Sequence, residues 1–132
     1  MNPREHILVV EDIDGTREFM RLILETAGYR VSCAGNGREA LDHLHAGKRP
    51  ALILLDLNMP VMDGWEFRHE QRRDPGLASI PVFLLSGEAD LPRIAAGLRV
   101  EGYYSKPFEV EGLLQGIGDL VEPDFLHLIG FR

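Results

Sequence analysis

Short apolar runs alternate along this chain with longer segments in which apolar residues recur every three or four positions. The runs are too short for amphipathic helices, so they predict β-strands. The predicted strands cover residues 7–10, 29–34, 52–55, 82–85 and 102–105. Because these strands alternate with helices, and because crossovers are right-handed, we expect a doubly wound parallel α/β sheet with helices on both faces.

Capping residues predict where the first three helices begin. Asp14 is the expected N-cap of the first helix, and Asn36 with Glu39 offers a capping box for the second. Asp63 with Glu66 offers another capping box for the third helix. These caps separate each predicted helix from the strand before it.

The third and fourth helices have unusual sequences. Pro92 fits only the first turn of a helix, so the fourth helix should begin late, near Asp90 or Leu91. In the third helix, Glu70 and Gln71 occupy positions where a core-facing aliphatic side chain is expected. We therefore expect the third helix to be loosely packed.

The chain has 132 residues, which fits one domain whose core needs no disulfide or metal. We expect the domain to span residues 1–121, and residues 122–132 to form a tail that docks back, contacts a second copy or begins a linker. The formal net charge of −7 disfavours a nucleic-acid partner. A single cysteine, Cys33, offers no disulfide or cysteine-ligated zinc site. No signal peptide or membrane span is predicted, so we expect a cytoplasmic protein without membrane contact.

Acidic residues follow two of the most apolar strands. Glu11 and Asp12 follow residues 7–10, and Asp56 follows residues 52–55. Ligands of open α/β sheets bind at the carboxyl ends of the strands, where these carboxylates converge if the strands are parallel neighbours. Like charges so close together need a cation, and all-oxygen donors indicate Mg²⁺ or Mn²⁺ rather than zinc. The alternative, that each acid only caps the next helix, accounts less well for three acids after two strands.

Four short motifs follow one another along the chain. They are Glu11-Asp12, the segment from Asp56 through Met59-Pro60 to Met62-Asp63-Gly64, Ser86 after the fourth strand, and Lys106-Pro107-Phe108. In this order they resemble the receiver domain of two-component response regulators. The resemblance covers most of the chain and implies a flavodoxin-like sheet with the strand order 2-1-3-4-5. Between Ser86 and Lys106 the chain departs from the family, because this interval is a little shorter than usual.

The resemblance implies a role for each polar residue in these motifs. Asp56 would accept a phosphoryl group from a histidine kinase or a histidine phosphotransfer protein, with Mg²⁺ neutralising charge. Lys106, before a cis peptide bond to Pro107, would add a positive charge, and the Ser86 hydroxyl would bind a phosphoryl oxygen. The domain would act in signalling rather than as an enzyme, apart from dephosphorylating itself. The implied metal ligands are Glu11, Asp12, Asp56 and the backbone carbonyl of Asn58.

The resemblance also implies how the signal is transmitted and how long it lasts. Ser86 would move toward the phosphoryl group, and Tyr103 would follow it inward. A downstream protein would bind the surface of the fourth helix, fifth strand and fifth helix. Asn58 and Glu88 would flank the water that hydrolyses the acyl phosphate, and their short or polar side chains predict a short-lived phosphoryl state.

Two other functions are compatible with parts of the sequence. A haloacid-dehalogenase-type phosphohydrolase also phosphorylates a strand-end aspartate, but it needs a second aspartate where this chain has Asn58. Residues 35–40, with Asp56 about 20 residues further on, imitate a dinucleotide-binding fingerprint. A turn and a helix cap explain the glycines of that segment, and the fingerprint gives no role to Ser86 or Lys106.

Overall fold

The computed structural model describes residues 5–47 and 49–122. The strands are β1 (His6–Val10), β2 (Arg30–Ala34), β3 (Leu52–Leu55), β4 (Val82–Ser86) and β5 (Gly102–Ser105). The helices are α1 (Asp14–Thr26), α2 (Gly37–Ala46), α3 (Gly64–Arg73), α4 (Leu91–Leu98) and α5 (Val110–Val121). The tail expected at residues 122–132 lies, from residue 123 onward, outside the described residues.

All neighbouring strands are parallel, and their order is β2-β1-β3-β4-β5, which confirms the predicted fold. Val10 at the end of β1 lies opposite Ala34 in β2 and Leu55 in β3. The Glu11 N–H donates to the Ala34 carbonyl at 3.0 Å, and the Asp56 N–H donates to the Val10 carbonyl at 3.0 Å. Strands β1 and β3 therefore end at the same edge of the sheet, and the acids that follow them meet there.

Strands β1, β3 and β4 are buried on both faces. Leu8 and Ile53 pack into the layer covered by α2, α3 and α4, whereas Ile7 and Leu52 pack into the layer covered by α1 and α5. Each such side chain contributes about 1.5–3 kcal/mol relative to an exposed one. Burial on both faces explains why these strands have continuous apolar runs, interrupted only by His6 at the start of β1 and Ser86 at the end of β4, instead of alternating with polar residues.

Helix α3 is packed differently from the prediction. Gln71 is fully buried, and its side-chain amide donates to the carbonyls of Leu77 and Ile80 at 3.0 Å each. Arg68 is only 4 % exposed and donates to two backbone carbonyls at the end of α4, at 2.9 and 2.6 Å. The prediction of loose packing is wrong, because buried polar side chains pack well when their hydrogen bonds are satisfied.

The predicted caps of α1 and α2 are only partly correct. Asp14 is not the N-cap of α1, since Ile13 occupies that position without a side-chain hydrogen bond. In α2 the Asn36 side chain accepts the Glu39 N–H at 2.9 Å, as predicted. The Glu39 carboxylate, however, accepts the N–H of Gly35 at 2.7 Å, so the reciprocal half of the capping box is missing.

The predicted beginnings of α3 and α4 are confirmed. Asp63 and Glu66 form a complete capping box, with each side chain accepting a backbone N–H of the other. Helix α4 begins at Leu91 with Pro92 in its first turn, and it ends at Arg99 in the left-handed conformation with φ 55°. No helix within the described ranges is long and apolar enough to cross a lipid bilayer.

Candidate functional site

Three carboxylates lie together at the carboxyl edge of the sheet. Glu11 and Asp12 belong to the turn after β1, and Asp56 is the residue after β3. One carboxylate oxygen from each lies within 4.8 Å of the other two. The parallel strands thus bring these acids together as expected, and the resulting oxygen cluster can hold a divalent cation.

Lys106 places a positive charge within this acidic cluster. Its Nζ lies 2.6 Å from Glu11 Oε1 and 3.7 Å from Asp56 Oδ1. The Lys106 N–H donates to the carbonyl of Ser86 at 2.9 Å, which fixes the lysine at the end of β5. The Lys106–Pro107 peptide is cis, as the resemblance implies. The site therefore combines three acids with one cation at the carboxyl ends of β1, β3 and β5.

Asp56 is the most perturbed acid of the cluster. Its side chain is largely buried, and its Oδ1 accepts the backbone N–H of Leu57 at 2.9 Å. Burial raises the pKa of Asp56 to about 6; the Lys106 charge opposes this rise, and the Glu11 carboxylate adds to it. The charged form of Asp56 is therefore less favourable in this pocket than in water, even with Lys106 beside it.

Ser86, Glu88 and Asn58 are connected by hydrogen bonds beside the acids. The Ser86 side chain is fully buried, and its Oγ accepts the Glu88 N–H at 3.1 Å. The Asn58 side-chain amide donates to the Glu88 carboxylate at 2.8 Å. Asn58 and Glu88 therefore form a contact between two loops, and Glu88 does not simply extend into solvent.

Tyr103 lies on β5 opposite Leu84 of β4. Its side chain is 46 % exposed, so the ring points outward in this structure. In this structure the Ser86 hydroxyl is therefore buried, whereas the Tyr103 ring is exposed.

Two residues support the site in ways that the sequence analysis did not predict: Arg17, which it did not name, and Gly64, to which it gave no role. Arg17 donates to the backbone carbonyls of Glu11 and Asp12, at 2.9 and 3.3 Å, and so holds the turn after β1. A Cβ on Gly64 would lie only 2.5 Å from the carbonyl oxygen of Asp56, so α3 can approach this segment only with glycine there. The sequence does contain a signal for Arg17, because an arginine lies one turn into the helix that follows the acidic end of β1.

The glycines of the possible dinucleotide fingerprint are used within the fold. The Gly35 N–H donates to the Glu39 carboxylate, and the Gly37 N–H donates to the carbonyl of Met62 at 2.8 Å. A Cβ on Gly37 would also overlap the Met62 side chain. These N–H groups are therefore occupied rather than available to a pyrophosphate, which removes the structural basis for that function.

The response regulator receiver domain model matches residues 7–118 of this chain. The chain belongs to this family. The match spans all five strands and includes the acids, Ser86 and Lys106. Neither the phosphohydrolase nor the dinucleotide-binding alternative finds support among the relatives described next.

Relatives of known name are response regulators and transcriptional regulators. The chain is 37 % identical over 114 residues to the uncharacterized transcriptional regulatory protein YkoG of Bacillus subtilis, covering 85 % of this chain and 49 % of that protein. It is 36 % identical to response regulator Rre1 of Synechocystis, covering 81 % of this chain and 47 % of that protein. The chain therefore spans about half the length of these relatives.

Solved receiver structures share the same fold. The chemotaxis response regulator CheY4 of Vibrio cholerae is 31 % identical with a TM-score of 0.79, over 89 % of this chain and 98 % of that one. A receiver domain of a histidine kinase from Syntrophus aciditrophicus is 33 % identical with a TM-score of 0.80, over 90 % of this chain and 91 % of that one. A chemotaxis response regulator and a receiver domain of a histidine kinase thus both share the fold of this chain.

We predict that the charge on Asp56 destabilises the metal-free protein. Its pKa of about 6 in the folded protein lies above the ordinary value of 3.8, so the folded state binds this proton more tightly than the unfolded state. The contribution of this group to stability is therefore present below about pH 4 and is lost as the pH rises through about 6. At pH about 7, urea unfolding in EDTA should show Asp56→Asn to be more stable than wild type by on the order of 1–3 kcal/mol.

The exposed Asp42, 3.7 Å from Arg38, provides the matched control. Asp42→Asn removes the same charge from the surface and should change the unfolding free energy little at either pH. At pH about 4 the advantage of Asp56→Asn should disappear, because Asp56 is then protonated in the wild type. An Asp56→Asn variant that is less stable than wild type at neutral pH would contradict the prediction.

Proposed function

We propose that Asp56 is the phosphoacceptor of this receiver domain. The observation that carries the proposal is the place of its carboxylate, buried after β3, next to Glu11 and Asp12 and 3.7 Å from the Lys106 ammonium. Receiver domains of response regulators interact with histidine kinases. A phosphohistidine on a kinase or a phosphotransfer protein is therefore the donor that we assign.

Transfer forms an acyl phosphate on Asp56. A carboxylate oxygen attacks phosphorus, the bond between phosphorus and the donor imidazole nitrogen breaks, and the imidazole keeps the electron pair. Because Oδ1 already accepts the Leu57 N–H, we assign the attack to Oδ2. The Lys106 ammonium lies close enough to stabilise the negative charge that arrives with the phosphoryl group.

The donor set of the site fits Mg²⁺ or Mn²⁺. The cluster consists of carboxylates, without a thiolate or imidazole ligand. We assign Glu11, Asp12, Asp56 and the backbone carbonyl of Asn58 as the groups that would hold the ion. When bound, the ion supplies charge neutralisation for the transferred phosphoryl group.

We predict that acetyl phosphate with Mg²⁺ labels the wild-type protein and not Asp56→Asn, because an amide is not a nucleophile for phosphorus. Intact-mass spectrometry should show one added phosphoryl group in the wild type and in the surface variant Asp42→Asn. Removal of Mg²⁺ by EDTA should suppress labelling of both. Stoichiometric labelling of Asp56→Asn would contradict the assignment of Asp56 as the phosphoacceptor.

We propose that Ser86 and Tyr103 transmit the signal. The Ser86 hydroxyl oxygen accepts the Glu88 N–H, and its O–H would donate to a phosphoryl oxygen. Tyr103, on the neighbouring strand and 46 % exposed, would then turn inward. The surface of α4, β5 and α5 would change with it, and we assign this surface to a downstream protein.

We predict that beryllium fluoride with Mg²⁺ reduces the solvent exposure of the Tyr103 ring, measured by NMR. Tyr104 is the control, because its ring already packs against Phe83, 5.5 Å between centroids, and should not change. Ser86→Ala should prevent the change in Tyr103, since it removes the hydroxyl. An unchanged Tyr103 in the wild type would remove it from the switch.

We propose that Asn58 and Glu88 make the phosphoryl state short-lived by orienting the hydrolytic water. Their mutual hydrogen bond at 2.8 Å supports this proposal, because it joins polar side chains from the loops that follow β3 and β4. A polar pair can position water in line with the scissile bond, whereas bulky apolar side chains would exclude it. A rapid reset would suit a relay or an adaptor better than a long-held switch.

We predict slower loss of phosphate from Asn58→Met and from Glu88→Leu than from the wild type, followed by phosphate release from purified labelled protein. Because the two side chains contact each other, the double variant should be slowed by less than the product of the single effects. Glu109→Leu is the control at an exposed position before α5 and should leave the decay unchanged. Equal rates of phosphate loss from the wild type and all variants would contradict the proposed role of Asn58 and Glu88.

A further inference from the structure

A groove of about 490 Å³ runs between α3 and α4, away from the acidic cluster. Three arginines of α3 line one wall, and Gly97 and Leu98 of α4 line the other. Trp65 lies at the beginning of the α3 wall. None of the side chains that line the groove is a carboxylate, although the whole chain carries a net charge of −7. The three arginines are Arg68, Arg72 and Arg73.

Two of these arginines are exposed and available to a ligand. The Arg72 side chain makes no hydrogen bond or ion pair with any residue in 5–47 or 49–122. The Arg73 side chain is 66 % exposed, and its contact with Glu70 is a surface pair at 3.4 Å. Such a pair contributes only about 0–1 kcal/mol and exchanges readily for a better partner. Two other nearby acids have partners of their own: Glu101 Oε1 accepts the Val82 N–H at 2.8 Å, and Asp74 Oδ2 lies 3.0 Å from His45 Nε2.

The buried Arg68 holds the groove open in one shape. Its guanidinium donates to the carbonyls of Leu98 and Arg99 in α4, at 2.9 and 2.6 Å, and to Gln71 in α3, at 2.8 Å. These hydrogen bonds connect the two walls at the floor of the groove. The groove is therefore formed before any ligand binds, which lowers the entropy cost of association.

The α4 wall offers an apolar contact beside the cations. Leu98 and Trp65 are partly buried against the core and present their remaining surface to the groove. A Cβ built on Gly97 meets no atom within 4 Å, so a ligand can approach the helix backbone closely there. The groove thus combines an apolar edge with two exposed positive charges.

We propose that this groove binds a short acidic segment of a partner protein. Carboxylates of that segment would pair with Arg72 and Arg73, and an apolar side chain would lie between Trp65 and Leu98. Charge complementarity supports a protein segment over a nucleic acid, because the domain as a whole is acidic and repels an extended polyanion. The groove borders the surface that we assign to phosphorylation-dependent output, since the two share the end of α4, but its arginines all belong to α3.

Trp65 is the only tryptophan of the chain and therefore reports on the groove directly. The probe is a short peptide of glutamate and leucine without aromatic residues, titrated into the full chain without Mg²⁺ or a phosphodonor. We expect a saturable change in Trp65 emission that weakens as NaCl is added. A peptide with lysine in place of glutamate should produce none.

Charge-reversal variants locate the binding. Arg72→Glu with Arg73→Glu should weaken binding of the acidic peptide by about tenfold or more, because it replaces attraction with repulsion. Arg30→Glu, an exposed arginine at the beginning of β2, is the control and should bind like the wild type. Circular dichroism verifies that each variant is folded.

Three results would overturn the proposal. One is the absence of saturable binding to the wild type at low salt. Another is equal affinity of the wild type and the double variant. The third is displacement of the peptide by single-stranded nucleic acid or by inorganic phosphate at the same concentration, which would identify the groove as a nucleic-acid or general anion site.

Discussion

The repulsion among Glu11, Asp12 and Asp56 is the constraint on which the rest of this domain depends. Backbone hydrogen bonds from Glu11 to β2 and from Asp56 to β1 fix the acids to the sheet, so they cannot separate unless strands part. At an effective dielectric constant of about 20, two unit charges 4 Å apart interact by about 4 kcal/mol. Lys106 offsets part of this energy, and burial of Asp56, more than the neighbouring carboxylates, raises the pKa of this acid. The strands buried on both faces supply the rigidity that keeps the acids together, and a bound cation would relieve their repulsion.

The sheet and the positions of its acids could be predicted from the sequence because they follow from local and topological rules. Apolar runs specify strands, capping residues separate them from helices, and parallel neighbours end at one edge. The packing of α3 could not be predicted in this way. Gln71 is fully buried because loop carbonyls from residues 77 and 80 accept its amide, and those carbonyls are brought there by tertiary structure. Periodicity identifies a polar residue on the inner face of a helix, but it does not show whether a hydrogen-bond partner lies within reach of its side chain.

Hydrogen bonds between loops could not be predicted from the sequence either. Asn58 and Glu88 were each expected beside the site, yet their hydrogen bond joins loops that are separated by a whole strand and helix. The dinucleotide-like segment, residues 35–40, illustrates the opposite case, in which a local sequence pattern suggests a ligand site that the folded structure does not support. Gly37 is required because the Met62 segment packs against it and accepts its N–H, not because a ligand approaches. Both cases depend on which hydrogen-bond donor meets which acceptor, and this can be read only from the folded structure.

Helix α3 connects the acidic site with α4 through short, stiff contacts. Its first residue, Gly64, donates to the Leu57 carbonyl at 2.8 Å and packs on the backbone of Asp56, so any shift of that segment displaces the helix. One turn later, Arg68 donates to the last carbonyls of α4. The other end of α4 is held differently: its N-cap Asp90 makes no side-chain cap hydrogen bond, and its first residue, Leu91, is buried in the core. Polar contacts from α3 therefore fix the carboxyl end of α4, whereas apolar packing fixes its amino end.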